Sequence, residues 1–234
     1  MANSLSKNQF LNTKPEHFVT ADGSSTLMLS GLNEQYHSVN GAIQESSLVY
    51  IQNGFHYIKN QNVKILEIGF GTGLNCLLTY TANAQSKLIK TIEYNALEPF
   101  PIASDLVDKL NYISILKGNN NESFFKETHG LAFNEKQLIQ PNFYFRKILQ
   151  SVQEFNDTAS TYDLIYFDAF GPAIQPEMWT QEVFDKMYTL LKYEGILVTY
   201  CAKGEVKRTL KAAGFKVENL PGPPGKREVT RALK

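Results

Sequence analysis

An alternation of short apolar strands with helical stretches, beginning at Val63, restricts the fold more than any other feature of this sequence. The apolar runs have the length of buried strands, and the segments between them carry helical apolar spacing or a proline suited to a first helical turn. Such strands must be covered on both faces, so the pattern predicts a parallel sheet between layers of helices. The predicted strands are 63–68, 88–97, 142–149, 162–170 and 195–201, and the predicted helices include 101–110, 176–193 and 203–213.

The two ends of the chain depart from this alternation. Asp22 and Gly23 separate two β-prone runs, which predicts a hairpin, and apolar residues at three- and four-residue steps predict a helix over 48–58. Near the other end, two strand-like runs are joined by only residues 221–225, so they must be antiparallel. We therefore expect a single α/β domain over 1–234 with a mostly parallel seven-stranded sheet, an antiparallel C-terminal strand, an N-terminal extension over 1–60 and an insertion over 111–141.

The composition excludes several classes of protein. The chain has 234 residues, of which 43% are hydrophobic and 20% charged, so it has enough apolar surface to form a core and is not disordered. No apolar run approaches the ~20 residues of a membrane helix, and the first residues lack the apolar core of a secretory signal. Only two cysteines are present, Cys76 and Cys201. These features predict a cytoplasmic protein without a membrane contact.

Three glycines follow the first predicted strand of the alternation. The spacing of Gly69, Gly71 and Gly73 differs from that of the dinucleotide fingerprint G-x-G-x-x-G, but glycines have the same physical effects in both motifs. Glycines permit a tight turn and a close approach of ligand to backbone, and the helix that follows offers free N–H groups. We expect residues 69–75 to bind a ligand, with Glu67 at the end of the strand. A structural turn without a ligand is the alternative.

Two acids stand at the ends of other predicted strands. Glu98 lies 25 residues after Gly73, where a carboxylate can accept hydrogen bonds from ribose hydroxyls. Glu93 is the competing choice, but it falls in mid-strand. Asp168 directly follows the strand LIYF, and the carboxyl ends of parallel strands line one crevice, so we expect Asp168 near the glycine turn. The glycines and acids favour an adenosine-containing cofactor, and they do not distinguish nicotinamide from S-adenosylmethionine.

Four stretches resemble the methyltransferase domain of the MnmC family: LEIGFGTGLN, ALEPFP, YDLIYFDAFGPAIQPEMWT and the terminal GKREVTRA. Residues 22–46 are also similar to the N-terminal segment of that family. MnmC completes 5-methylaminomethyl-uridine at the wobble position of certain bacterial tRNAs. The resemblance implies a Rossmann-like S-adenosylmethionine-dependent methyltransferase fold, S-adenosylmethionine as cofactor and a tRNA anticodon loop as substrate. The implied reaction is N-methylation of the aminomethyl group of 5-aminomethyl-(2-thio)uridine.

The resemblance also implies roles for individual residues. Asp168 is implied to be the catalytic residue near the reacting amine, and Glu98 to lie on the cofactor ribose. Tyr36, Asn40 and Glu45 are implied to lie close to the cofactor or substrate. The candidate cofactor-binding residues are Glu67, Gly69, Phe70, Gly71, Thr72, Gly73, Asn75, Glu98, Tyr36, Asn40, Glu45 and Ser151, and the candidate substrate-binding residues are Phe170, Pro172, Lys226, Arg227 and Arg231.

The sequence departs from the family in two places. Bifunctional relatives carry an FAD-dependent oxidase domain, for which this chain has no room, so we expect only the methylation half and a separate FAD-dependent oxidase as a possible partner. The family also tends to place an acid after the third strand, where it can meet the adenine amino group. Here that stretch reads KILQSVQE, and Ser151 is the nearest match. The four histidines and two cysteines show no metal-ligand spacing, so we expect no metal.

Charge distribution bears on the substrate. Residues 203–234 contain nine basic and three acidic residues, although the whole chain is neutral. A basic face of this kind can meet a polyanion, and Lys226, Arg227 and Arg231 are candidates for gripping the anticodon backbone. A solvated helix face is the alternative. Two other functions also fit the fold: an aminopropyltransferase acting on a small polyamine, which would favour an acidic pocket, and a non-catalytic nucleotide- or RNA-binding module.

Overall fold

The computed structural model of the chain describes residues 14–32 and 34–234, so residues 1–13 of the predicted N-terminal extension lie outside the described residues. These residues form two sheets: a three-stranded one in the order β1-β2-β3 and an eight-stranded one in the order β10-β11-β9-β8-β4-β5-β7-β6. The strands are β1 (Glu16–Val19), β2 (Ser25–Leu29), β3 (Glu34–Gln35), β4 (Asn62–Ile68), β5 (Thr91–Leu97), β6 (Lys136–Gln140), β7 (Phe143–Ile148), β8 (Tyr162–Phe167), β9 (Leu191–Thr199), β10 (Lys216–Pro221) and β11 (Glu228–Leu233).

The large sheet is mostly parallel, as the alternation predicts. β4 pairs in parallel with β5 and β8, and the neighbours β7 and β9 continue the same direction. β11 is antiparallel to both β9 and β10, which confirms the antiparallel C-terminal strand. The sheet has eight strands instead of the expected seven because β6 pairs antiparallel with β7 at the edge. In β6 only Ile139 is buried, so the strand leaves no alternating apolar pattern in the sequence.

The helices cover both faces of this sheet. Apolar side chains divide into two clusters, and neighbouring strand residues such as Ile65 and Leu66 belong to opposite ones, which is the period of two that a strand imposes. Within the part of the chain that the structure describes, no helix has the length and hydropathy needed to cross a membrane. The helices are α1 (Ala42–Ser46), α2 (Leu74–Ala84), α3 (Ser104–Val107), α4 (Tyr112–Ile115), α5 (Asn121–Gly130), α6 (Gln181–Leu190) and α7 (Gly204–Ala212).

Several predicted helices are shorter or differently wound. The predicted helix 101–110 is reduced to α3, and the predicted helix 176–193 begins as a 3₁₀ turn before α6 and gives way to β9 at Leu191. The predicted helix 48–58 is a π-helical turn, Ser47–Gln52, which continues α1 and is followed by a 3₁₀ turn after Gly54. A Cβ at Gly54 would lie 2.4 Å from the Tyr50 carbonyl oxygen, so the chain passes this point only with glycine.

The register of the sheet places the predicted acids together. Ile68, the last residue of β4, pairs with Leu97 at the end of β5 and with Phe167 at the end of β8, so the residues that follow these strands emerge side by side. The Gly69 N–H donates to the Leu97 carbonyl at 3.0 Å, and the Asp168 N–H donates to the Ile68 carbonyl at 3.0 Å. Glu98 follows Leu97 directly. One edge of the sheet therefore carries the glycine turn and both strand-end carboxylates.

Candidate active site

A cavity of about 770 Å³ opens at this carboxyl edge of the sheet. Its volume lies in the range of sites that bind drug-sized ligands and cofactors. The N-terminal segment forms one wall, the glycine turn forms the floor, and the loops after β7 and β8 form the opposite wall. The lining includes these predicted site residues: Tyr36, Glu45, Gly69, Phe70, Gly71, Thr72, Asn75, Glu98, Ser151, Asp168, Phe170 and Lys226.

The turn at the floor requires its glycines. Gly69, Gly71 and Gly73 have φ of 90°, 50° and 74°, values that favour glycine strongly over other residues. A Cβ at Gly69 would lie 2.7 Å from the Asp168 carbonyl oxygen, and one at Gly71 would lie 3.2 Å from the Tyr36 ring. The turn thus brings bare backbone against both walls of the cavity.

Glu98 is hydrogen-bonded to the backbone of this turn. Its carboxylate accepts hydrogen bonds from the Gly71 N–H at 2.7 Å and from the Phe100 N–H at 2.8 Å. Each carboxylate oxygen has a further acceptor direction, and Glu98 lines the cavity. Burial raises the pKa of Glu98, although these two backbone donors oppose the shift. The competing acid, Glu93, instead pairs at the surface with Lys136, at 2.7 Å.

Asp168 is held by two donors at the cavity wall. Tyr50 donates its hydroxyl proton to Asp168 Oδ1 at 2.5 Å, and the Asn75 side-chain amide donates to Oδ2 at 2.8 Å. Burial raises the pKa of Asp168 to about 6, against the lowering effect of both hydrogen bonds. A carboxylate with a pKa near 6 is mostly ionised at neutral pH and has an appropriate basicity for accepting a proton.

Glu67 lies behind Asp168, deeper in the sheet. The Asn75 amide donates to Glu67 Oε1 at 3.0 Å as well as to Asp168, so one side chain joins the two acids. Glu67 is fully buried and lies outside the cavity lining, whereas Asn75, to which it is hydrogen-bonded, lines the cavity. Burial, reinforced by the nearby Asp168 charge, raises the pKa of Glu67 well above its ordinary value.

The N-terminal segment contributes an aromatic and a charged contact to the cavity. The Tyr36 ring meets the Phe170 ring edge-on, with 5.0 Å between centroids. Glu45 accepts a hydrogen bond from the Ser38 N–H at 2.9 Å and forms an ion pair with Lys226. The Lys226 ammonium in turn lies 4.2 Å from the centroid of a ring in the same lining, Tyr200. Residues from both ends of the chain therefore meet at the cavity mouth.

Other predicted site residues lie outside the cavity lining. Asn40 packs against Gly225, where a Cβ would lie 2.0 Å from the Asn40 amide nitrogen. Arg231 donates to Glu218 at 2.8 Å and stands over the Tyr57 ring, so its charge is already neutralised. A contact of Arg231 with a tRNA backbone stays a prediction. The predicted residues outside the cavity lining are Glu67, Gly73, Asn40, Pro172, Arg227 and Arg231.

The structure also places residues in the site that the sequence patterns did not single out. Tyr50 lies within the predicted helix 48–58 but outside the apolar positions that predicted it, so the sequence pattern gave no indication of a role for its hydroxyl. Tyr200 directly follows β9 at the same sheet edge as Asp168, and that strand-end position was a usable signal. Glu154 accepts a hydrogen bond from Ser151 Oγ at 2.9 Å and lines the cavity, which supplies an acid three residues beyond the family position.

The histidines and cysteines form no metal site among residues 14–32 and 34–234, where no cluster of three potential ligands occurs. His37 lines the cavity, and its Nδ1 lies 2.9 Å from Thr26 Oγ1. Burial lowers the pKa of His37 to about 4, so this imidazole is neutral at physiological pH.

The chain is similar to known proteins over most of its length. Residues 119–234 match the sequence model of a family described as S-adenosyl-L-methionine-dependent methyltransferase. The tRNA 5-methylaminomethyl-2-thiouridine biosynthesis bifunctional protein MnmC of Leptospira interrogans is 28% identical over 203 residues, which cover 83% of this chain and 31% of the relative. The crystal structure of MnmC2 from Aquifex aeolicus matches with a TM-score of 0.73 at 23% identity, over 98% of this chain and 78% of that chain. Spermidine synthase from Thermotoga maritima matches with a TM-score of 0.55 at 13% identity, over 94% and 68% of the two chains.

The fold, the cavity and these matches define the class of the chain as S-adenosylmethionine-dependent methyltransferase, with S-adenosylmethionine as its cofactor. The chain spans about a third of the length of the curated relatives that it matches. Within the class, the domain is MnmC-like in both sequence and fold. The predicted resemblance, fold class and cofactor are confirmed, and the cytoplasmic location stays a prediction.

Proposed function

We propose that this domain methylates the aminomethyl nitrogen of 5-aminomethyl-(2-thio)uridine at the wobble position of tRNA. The observation that carries the proposal is Asp168, a carboxylate with a pKa near 6, held at the wall of a cavity whose floor is the glycine turn. The substrate class comes from the MnmC relatives, which are named for tRNA 5-methylaminomethyl-2-thiouridine biosynthesis. Asp168 is the residue that we assign to the reacting amine.

The residues of the cavity fit the cofactor. Glu98 offers acceptors to ribose hydroxyls, and Gly69 and Gly71 allow a ligand to approach the backbone of the turn. When bound, S-adenosylmethionine supplies an electrophilic methyl group. The loop that contains Ser151 and Glu154 also lines the cavity, and we assign this loop to the adenine ring.

The amine that is methylated must first lose a proton. An alkyl ammonium has a pKa of about 10.4, so only on the order of one molecule in 10³ is neutral at pH 7, a cost of about 4–5 kcal/mol. An electron-poor uracil lowers this cost, which makes it an upper bound. Asp168 accepts the proton directly or through water and holds the amine in place. Much of the rate comes from holding two bound partners in line.

Lys226 is the candidate contact for the tRNA backbone at the cavity mouth. It is the one predicted basic contact that lines the cavity, and its ammonium is shared between Glu45 and the face of the Tyr200 ring. A wobble base lies in a single-stranded loop, so moving it into the cavity costs only a few kcal/mol. The aminomethyl-uridine would come from an FAD-dependent oxidase that removes a carboxymethyl group, whether that activity is on a separate chain or not.

Methyl transfer from labelled S-adenosylmethionine to tRNA that lacks the final methyl group tests this function. We expect label in the wobble nucleoside, identified after digestion as the methylaminomethyl derivative, and no label in spermidine-type amines. Label in spermidine-type amines alone would rule out tRNA as the substrate. Cofactor binding without any methyl transfer would indicate a non-catalytic module.

Replacing Glu98 with glutamine is expected to weaken cofactor binding by about 10–100-fold. An amide has one acceptor oxygen where the carboxylate has two, so an N–H of the turn or a ribose hydroxyl loses its partner, at about 1.5–3 kcal/mol. Calorimetry with S-adenosylhomocysteine measures the effect. Glu93→Gln, which changes a surface acid of the same strand, should leave the affinity unchanged. Equal affinity in Glu98→Gln and the parent chain would remove Glu98 from the cofactor site.

A further inference from the structure

Tyr50 is a buried residue in contact with the carboxylate at the centre of the proposed site. It lies on the π-helical turn Ser47–Gln52, and its hydroxyl donates to Asp168 Oδ1 at 2.5 Å across 118 residues of sequence. Its ring packs against Tyr166 with 5.2 Å between centroids. A π-helical turn is rare and occurs often at functional sites. Such a turn in contact with Asp168 calls for a role beyond packing.

We propose that Tyr50 is a positioning residue for Asp168: its hydroxyl fixes the rotation of the carboxylate and favours its ionised form. This inference rests on the proposed function, because it assigns Tyr50 to the reaction in which Asp168 takes part. No feature of the apolar stripe around residue 50 distinguishes the tyrosine from a core residue. The geometry points to the hydroxyl as the functional atom.

The two oxygens of Asp168 are fixed by different means. Oδ2 accepts from Asn75, but this amide also donates to Glu67, so its hydrogen-bonding capacity is divided between two acids. Oδ1 accepts from Tyr50. A carboxylate bonded at both oxygens cannot rotate freely, so its remaining lone pairs keep a constant direction toward the cavity. Loss of the Tyr50 hydroxyl leaves the carboxylate held at one oxygen only.

The surroundings of Asp168 otherwise oppose its ionisation. Burial is the largest influence and raises its pKa, and the carboxylate of Glu45 acts in the same direction, while Glu67 is a further titratable neighbour joined to Asp168 through Asn75. Lys226 lowers the pKa from across the cavity, and the Tyr200 hydroxyl is a further titratable neighbour. Two hydrogen-bond donors therefore have to offset a buried and crowded position.

Tyr50 is suited to donate at every physiological pH. Burial and the neighbouring Asp168 charge raise the pKa of its phenol well above the ordinary value, so the hydroxyl keeps its proton. A charge-assisted hydrogen bond is about twice as strong as a neutral one, and removing it disfavours the ionised carboxylate. We therefore expect the Tyr50→Phe variant to raise the pKa of Asp168 by about one pH unit, from about 6 to about 7.

The experiment compares the pH profiles of Tyr50→Phe and the parent chain. The acidic limb of kcat should move upward by about one unit, which lowers kcat about fivefold at pH 6 and about twofold at pH 7 through ionisation alone. The affinity for S-adenosylhomocysteine and the KM for tRNA should stay within twofold. Tyr166→Phe is the matched control, since its hydroxyl lies 3.1 Å from Thr79 Oγ1 in the same aromatic cluster. It should not move the limb.

A measurement without substrate separates this inference from the proposed function. The side-chain carboxyl ¹³C resonance of Asp168, assigned by its loss in Asp168→Asn, should titrate about one unit higher in Tyr50→Phe than in the parent chain. In the parent chain, the Tyr50 Cζ resonance should shift with pH with the same midpoint as the Asp168 carboxyl resonance. This second measurement does not depend on the Tyr50→Phe variant being folded. An unchanged Asp168 midpoint in Tyr50→Phe, or a Tyr50 resonance insensitive to that titration, overturns the inference. Absence of methyl transfer to tRNA with both shifts observed would overturn only the proposed function.

Discussion

Replacing Asp168 with asparagine is expected to lower kcat for methyl transfer by on the order of 10²–10⁴, with little change in cofactor affinity. The amide has nearly the same volume as the carboxylate and keeps one oxygen for the Tyr50 hydroxyl, but it cannot accept the proton of the amine. The loss should therefore appear in kcat and not in the dissociation constant of S-adenosylhomocysteine. Single-turnover transfer of labelled methyl to tRNA measures the first, and calorimetry measures the second.

The pH dependence of the rate provides a second test of the role of Asp168. Asp168 must be ionised to accept a proton, so the parent chain should lose rate about tenfold per unit below its pKa of about 6. Asp168→Asn should lack this limb. Its melting temperature at pH 7 should not be lower than that of the parent chain, because a carboxylate whose pKa is raised on folding destabilises the folded state at neutral pH. An unchanged kcat in a folded Asp168→Asn variant would exclude Asp168 as the base.

Gly69→Ala is expected to weaken cofactor binding by at least about tenfold and to lower the melting temperature by several degrees. The φ of 90° is strained for alanine, and the new Cβ would lie 2.7 Å from the Asp168 carbonyl oxygen. Strain of this kind costs about 1–3 kcal/mol, and relieving the contact moves the turn away from the residue that follows β8. Calorimetry and thermal unfolding measure the two effects, and methyl transfer should fall with both.

Gly130→Ala is the matched control for that substitution. Gly130 is the last residue of α5, and no atom would lie within 4 Å of an added Cβ. We expect its cofactor affinity to be unchanged and its stability to be equal or slightly higher, because alanine favours the helix. Comparable losses in the two variants would show that the effect of Gly69→Ala is not specific to the turn.

The positions of Glu98 and Asp168 could be predicted because the carboxyl ends of neighbouring parallel strands lie at the same edge of the sheet. The choice of Glu98 over Glu93 followed from the same rule, since a mid-strand residue does not reach that edge. The contact between Tyr50 and Asp168 could not be predicted, because 118 residues separate them and the local pattern around Tyr50 describes only an apolar stripe.

The number of charged residues predicted the location of site residues less well than the order of the strands did. The basic excess of residues 203–234 predicted three backbone-gripping side chains, but composition carries no information on where each one points. Arg231 is bound to Glu218 on the neighbouring strand β10, and Lys226 alone of the three lines the cavity. β6 was missed for a related reason, because an edge strand with one buried residue has no periodic pattern to detect.

The ion pair between Glu45 and Lys226 has a consequence for how the protein is made. Glu45 lies on α1 and Lys226 lies in the turn between β10 and β11, so Glu45 leaves the ribosome long before Lys226. The contact of Asn40 with Gly225 crosses the same interval. The mouth of the cavity therefore cannot be completed during translation until the hairpin of β10 and β11 has emerged, so a nascent chain stalled before that point carries the glycine turn and Asp168 but has no closed pocket around them.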